Sequence, residues 1–320
     1  MEVQELLKLY AAHPQVTALD TLLKNDTSRN IFLKGLNGSG PAMTIASLFT
    51  KGRGSYVCVL NDQEEAGYFY HDLMQLTASN EVYFFPSAYR RAIKYGHVDP
   101  ANEILRTEVL SRLQDPDASF VIVTYPDALA ERVVAREVLK ENTLKISVGE
   151  KLDNMFVSDV LDEYGFEQVD YVYEPGQYAL RGSILDVFSF SYEFPYRIDF
   201  FGDEVDSIRS FDAESQRSIQ QMDEVTIYPA AELILTKEHI EEGILRLEAD
   251  EKKQEKAFRD QKKPEEAQRI RRAVGELVES LKEGFDVQTL DAYIRYFCRD
   301  TVSFLDYMKE VGAKVTLVSS

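Results

Sequence analysis

The stretch from Gln177 to Phe211 leaves this chain the fewest choices of fold. Gln177-Tyr178-Ala179-Leu180-Arg181-Gly182-Ser183-Ile184-Leu185-Asp186-Val187-Phe188, and then Phe194-Pro195-Tyr196-Arg197-Ile198-Asp199-Phe200-Phe201, are dense in β-branched and aromatic residues. Pro175-Gly176 precede the run and Gly202-Asp203 interrupt it, which is how short antiparallel strands joined by tight turns are written. The stretch predicts a small β-rich module. On a strand from Tyr196 to Phe201, the period of two puts Tyr196, Ile198 and Phe200 on one face and Arg197, Asp199 and Phe201 on the other. With the first face in a core, the second displays a cation, an anion and a large aromatic, the mixture found where protein partners bind. A solvated face with an Arg-Asp pair and one stray Phe has the same spacing. Val205 and Ile208 differ in parity, which predicts a bulge in the next strand.

The 320 residues suffice for two domains, and 44% hydrophobic with 28% charged residues is ordinary globular composition. Acidic residues outnumber basic ones 55 to 36, a net charge of -19, so the chain as a whole is repelled by a phosphate backbone. Cys58 and Cys298 are far apart in apolar settings without metal-ligand spacing, which predicts buried reduced thiols and fits a cytoplasmic setting. The start lacks the basic and apolar regions of a signal peptide, and no apolar run approaches a membrane span.

Residues 3 to 24 predict two short amphipathic helices interrupted at His13-Pro14. Asn30 to Gly35 reads as a buried strand, Leu36-Asn37-Gly38-Ser39-Gly40 as a glycine-rich turn, and Met43 to Phe49 as a helix, the layout of a phosphate-binding loop. Gly35 and Gly40 have the right separation, but Pro41 stands where the loop's Lys belongs and Ala42 where its Ser or Thr belongs. Pro41 removes both the cation and a backbone donor while still suiting a helix start. The loop is degenerate on this reading, with no catalytic, cofactor-binding or metal residue assigned. Strands at Tyr56 to Leu60, Val82 to Phe85 and Phe120 to Val123 alternate with helices at Glu64 to Leu76 and Asn102 to Leu113, which predicts a parallel sheet covered on both faces. Tyr89 to Pro100, with Arg90, Arg91, Lys94 and His97, is the one locally basic and aromatic stretch, and reads as a surface loop.

Leu144 to Val148 reads as a further strand and Asp153 to Tyr164 as a helix ended by Gly165. Past the β-rich module, which closes near Val225 to Pro229, residues 238 to 283 are charged and helical with a break at Pro264. Their Lys and Arg are interleaved with Glu, a solvated face held by i,i+4 pairs. Leu290 to Phe297 reads as one more helix. Ala313 to Ser320 reads as a strand needing a sheet, for which the parallel sheet is the natural host. The expected architecture is therefore α/β, a P-loop-type parallel sheet domain interrupted by an inserted β-rich (α+β) module. The expected segments are 1–150 for the first part of the ATPase-like domain, 151–236 for the insertion, and 237–320 for long helices and the returning strand. Ending on such a strand suggests a piece of a longer chain.

The run from Pro175 to Phe188, with Pro195-Tyr196-Arg197-Ile198-Asp199-Phe200-Phe201-Gly202-Asp203-Glu204-Val205-Asp206-Ser207-Ile208-Arg209-Ser210-Phe211-Asp212 and Ser215-Gln216-Arg217, resembles the UvrB-like N-terminal region of the bacterial transcription-repair coupling factor family (Mfd). The resemblance extends more weakly over all 320 residues. It implies that the inserted module binds the excision-repair protein UvrA, with Arg181, Arg197 and Phe201 at the positions that contact it. It also implies that RNA polymerase and DNA are engaged only by domains beyond Ser320, with no membrane and no cofactor. Pro86 to Ala101 is too short for the long aromatic hairpin with which UvrB inspects DNA, so damage verification is not carried over. An inert docking module of a coupling factor is the expectation. An active P-loop nucleotide hydrolase and a UvrB-like DNA-damage binder are the alternatives. The docking face is expected to contribute little to the core, so that reversing the charges of Arg181 and Arg197 would leave the module folded.

Overall fold

The computed structural model describes residues 3–24, 30–52, 54–77, 79, 81–88, 100–115, 117–190, 192–232, 234, 237–283, 293–298 and 300–318. The basic stretch from Tyr89 to His97 lies outside them. Two compact units divide the chain: Met1–Ser87 with Glu108–Glu131 and Ser303–Ser320, and Ala88–Thr107 with Arg132–Val302.

The first unit is built on a four-stranded parallel sheet in the order Lys314–Leu317, Tyr56–Val59, Val121–Thr124, Val82–Phe84. Tyr56–Val59 and Val121–Thr124 are buried along their whole length, as their unbroken apolar sequences demand of inner parallel strands. The last strand of the chain pairs with Tyr56–Val59, Tyr56 opposite Lys314 and Val59 opposite Leu317, so the returning strand finds the host expected of it. Helices Val3–Ala11, Pro14–Lys24, Gly40–Gly52 and Gln63–Thr77 belong to the same unit. Cys58 is buried in the sheet, and burial pushes its thiol up to about 12; Cys298 is also a buried free thiol.

Two expected strands are placed differently. Asn30 to Gly35 forms no regular element and joins no ladder among the described residues, and Phe32 is 88% exposed. Tyr56–Val59 already has a neighbour on each side, so no inner position remains for this segment. Leu144–Ser147 is not in the parallel sheet; it pairs antiparallel with Glu224–Ile227 as a separate two-stranded sheet.

The β-rich sheet in the second unit has six strands in the order Ser218–Met222, Glu204–Phe211, Tyr196–Phe201, Ile184–Val187, Gln177–Arg181, Glu167–Gln168. Its pairs are antiparallel except the last, which is parallel. Tyr196, Ile198 and Phe200 enter the core with Tyr178, Leu185, Val187, Val205 and Ile208, so the predicted alternation holds. The register shift falls between Val205 and Ser207. The extra residue, Asp206, lets Val205 and Ile208 share the core face despite their parity. Helix Asn154–Glu163 is capped by Asp153, whose carboxylate accepts from the Met155 N–H at 3.0 Å. It buries Val157 and Leu161 in the same core. Tyr178 keeps its hydroxyl satisfied inside, donating to Asp162 at 2.7 Å and lying 3.0 Å from Ser158.

Helices Lys237–Asp260 and Pro264–Lys282 form an antiparallel pair broken at Pro264, with Ile244, Leu247, Val274, Leu277, Val278 and Leu281 packed around Phe297. Arg246–Glu242, Arg259–Glu255 and Arg272–Glu276 are i,i+4 ion pairs along them. No described helix is long and apolar enough to cross a membrane.

Gly176, which opens the first long strand of the six-stranded sheet, combines a left-handed φ of 88° with a close approach: a Cβ there would stand 2.8 Å from Phe190 Cζ. Gly176→Ala is expected to destabilise the module by roughly 1–3 kcal/mol through strain and overpacking. Urea unfolding followed by module fluorescence checks this, and an unchanged midpoint would refute the packing.

Candidate functional site

The strand that buries Tyr196, Ile198 and Phe200 must turn Arg197, Asp199 and Phe201 to its other face. Neighbouring strands fill that face by register. Asp186 lies opposite Arg197 on one side and Arg209 opposite it on the other, while Arg181 lies opposite Ile184, which itself faces Asp199. Arg181 is thus the last residue of its own strand, Gln177–Arg181. Gly182 at φ 63° and Gly202 at φ 68° make the two-residue turns that close the hairpins.

Asp186 organises the polar part. Its carboxylate is 1% exposed and receives both guanidiniums. Arg197 donates in forked geometry, Nε to Oδ1 at 2.7 Å and Nη2 to Oδ2 at 2.8 Å. Arg181 Nη2 donates to Oδ2 at 2.5 Å. Arg197 also lies 4.1 Å over the Phe211 ring and donates from Nη2 to Gln216 Oε1 at 2.8 Å. Arg181 lies 4.9 Å over Tyr171 and donates from Nη1 to the Asp170 carbonyl at 2.9 Å. These bonds, with Asp186 the largest cause, hold the Arg197 proton more firmly than on a free guanidinium. A small apolar cluster of Val172, Ala179 and Phe188, with Val169 and Ala213 against it, lies on the same sheet, and the burial of Asp186 is made tolerable by its two guanidinium partners. Arg209 pairs with Asp199, which also accepts from Ser207 Oγ at 3.2 Å.

The three residues singled out by the sequence therefore share one face but differ in kind. Phe201 is 83% exposed; the side chains of Arg181 and Arg197 are 31% and 13% exposed and already paired. Forked, stacked guanidiniums and a bare aromatic can engage a partner's carboxylate and an apolar pocket. Sequence reasoning missed Asp186, Phe211 and Gln216. The available signal was an acid inside the apolar strand Ile184-Leu185-Asp186-Val187, since a charge in such a setting requires a partner.

In the glycine-rich stretch, Gly35 and Gly38 take left-handed φ values of 88° and 56°, and the helix begins at Gly40 with Pro41 in its first turn. The Thr44 hydroxyl donates to the Gly40 carbonyl at 2.8 Å and lies 3.3 Å from the Tyr10 hydroxyl. Among the described residues, no group of three or more His, Cys, Asp or Glu is placed to hold a metal.

Comparison with known proteins bears out the resemblance read from the sequence. Residues 144–233 match the UvrB interaction domain family. The chain is 29% identical over 276 residues to the transcription-repair-coupling factor of Bacillus subtilis, covering 86% of this chain and 23% of that protein. It is 30% identical over 207 residues to the transcription-repair-coupling factor of Escherichia coli, covering 64% and 18%. It is 24% identical over 299 residues to UvrABC system protein B of Streptococcus agalactiae, covering 88% and 45%. The chain thus spans under a quarter of the two coupling factors and under half of the UvrABC protein.

The ion pairs contradict the premise that Arg181 and Arg197 lie on an exposed face that contributes little to the core, on which the expectation of a folded charge-reversed module rests. Arg197→Glu would set a second carboxylate against buried Asp186, and breaking such a pair costs about 3–5 kcal/mol. Phe201→Ala, at an exposed position, is expected to stay within about 0.5 kcal/mol of the parent. Melting temperatures of the two variants check this, and equal values would contradict the assignment of buried and exposed roles.

Proposed function

We propose that this chain is the non-catalytic UvrB-like region of a transcription-repair coupling factor, and that it recruits UvrA through the face carrying Arg181, Arg197 and Phe201. The match of residues 144–233 to the UvrB interaction domain carries the reading. That range holds the whole of the six-stranded sheet and its open face. Phe201 supplies the apolar anchor that dominates binding energy at protein interfaces. The two guanidiniums on the same face supply directional, charge-assisted donors.

The same reading divides the chain into an ATPase-like domain in residues 1–150, an inserted docking module in 151–236, and helices with a returning strand in 237–320. Its phosphate loop is inert. Pro41 offers neither the Lys ammonium nor the backbone N–H that a phosphate cradle uses, and Thr44 is engaged by Gly40 and Tyr10. ATP-driven translocation on DNA and contact with RNA polymerase belong, on this reading, to other regions of a protein of the relatives' length.

Phe201→Ala is expected to lower affinity for purified UvrA by about 2 kcal/mol, roughly thirty-fold, with its melting temperature unchanged. Surface plasmon resonance with the folded variant measures this, and parental affinity would sink the docking face. The chain is also expected to show no saturable ATP binding tighter than about 100 μM, or about 5.5 kcal/mol. A calorimetric titration yielding a tighter site would contradict the inert loop.

A further inference from the structure

Arg197 has five N–H donors, and the sheet leaves few of them for a partner. Nε gives its hydrogen to Asp186 Oδ1, and Nη2 gives its two to Asp186 Oδ2 and Gln216 Oε1. Phe211 lies against one face of the guanidinium plane. Among the described residues Nη1 is the nitrogen of this guanidinium left without a bond, so it is the edge available to an acceptor from outside. Asp186 alone would fix the plane of the fork, but a carboxylate fork has a rotational softness that a third bond on the outer corner removes.

That third bond comes from an unusual piece of backbone. Gln216 is one of two described non-glycine residues with positive φ, at 59°. The turn around it is held by Asp212: its carboxylate accepts from the Ser215 N–H at 2.8 Å and the Ser215 hydroxyl at 2.5 Å, its carbonyl accepts from Gln216 N–H at 2.8 Å, and its N–H donates to the Arg217 carbonyl at 2.9 Å. The Gln216 amide is oriented in turn, its Nε2 donating to the Ala213 carbonyl at 2.7 Å, which fixes Oε1 as the atom presented to Arg197. A left-handed conformation is disfavoured for a residue with a long side chain, and glycine or asparagine would occupy it more readily. A glutamine held there against that preference, with both ends of its amide used, points to a side chain whose reach matters.

We propose that Gln216 is a positioning residue of the docking face, acting solely through Arg197: with Asp186 it sets the guanidinium so that Nη1 is the edge offered to a carboxylate of the protein partner. This rests on the reading of the face as the UvrA-docking surface. Gln216 itself makes no contact with the partner. Its contribution is preorganisation, which strengthens binding by sparing the ordering of Arg197 on association.

The test is a double-mutant cycle on the whole chain, read as affinity for purified UvrA and as melting temperature. Gln216→Gly relieves the positive φ while removing the side chain; Gln216→Asn keeps an amide and tolerates the same backbone but falls one methylene short of Arg197. Both are expected to bind UvrA about five-fold more weakly, the worth of one net hydrogen bond, without a lowered melting temperature. In an Arg197→Met background, or Arg197→Lys should the former not fold, Gln216→Gly is expected to change affinity no further. Parental affinity in the single Gln216 variants would overturn the proposal. So would an equal loss in both Arg197 backgrounds, which would make Gln216 a direct contact. Folded Arg197 variants that bind like the parent would instead remove the docking reading beneath it, a result distinct from either.

Discussion

A carboxylate shut away from water must be answered by cations, and Asp186 is the group on which the open face of the β-rich sheet turns. Its two oxygens take three charge-assisted hydrogen bonds, two from Arg197 and one from Arg181. Such a pairing has no great net worth against an apolar core, because desolvation offsets most of the attraction. Its effect is geometric. Asp186 and Arg197 sit on adjacent strands and Arg181 on the next, so a single buried anion ties three strands at a face where the apolar cluster is small. The remaining formal charge of the trio is a single positive one, so the trio exerts only a modest long-range field.

Phe201 works by the opposite physics. It makes no use of the interior, being placed at the end of a strand beside a glycine turn and left open to water. An aromatic side chain has few rotatable bonds, so little ordering is lost when it is covered. The face thus combines one group fixed from within and one group left bare. On the proposed reading, a substitution at the first would report on folding as much as binding, and one at the second on binding alone.

Much of the fold was legible from periodicity. Inner parallel strands announced themselves as short apolar runs, the strand Tyr196–Phe201 as strict alternation, and the bulge at Asp206 as a break of parity between Val205 and Ile208. What failed was local apolarity taken as burial. Ile31, Phe32 and Leu33 resemble a strand, yet sheet membership depends on which neighbour's edge is vacant, a property of the whole topology. The antiparallel pairing of Leu144–Ser147 with Glu224–Ile227 was hidden for the same reason. At the site, parity placed Arg197 and Phe201 together, but it could not show that Asp186 would be shared between two cations. That follows from inter-strand register, which the sequence of one strand does not contain. Gln216 was hidden deeper still, since its reach to Arg197 depends on a left-handed turn that few glutamines adopt.

The returning strand has a consequence for how the protein comes to be made. Tyr56–Val59 is synthesised early, yet the neighbour that covers one of its edges, Lys314–Leu317, is nearly the last described segment to leave the ribosome. Every strand of the six-stranded sheet, by contrast, lies between Glu167 and Met222 and can pair as soon as that stretch has emerged. Closing a loop over such a distance in sequence is slow, and an unpaired strand edge is a template for unwanted pairing in the meantime. During synthesis the six-stranded sheet can therefore be complete while the parallel sheet still has an open edge, and it is the parallel sheet that offers the growing chain an unpaired strand on which to misassemble.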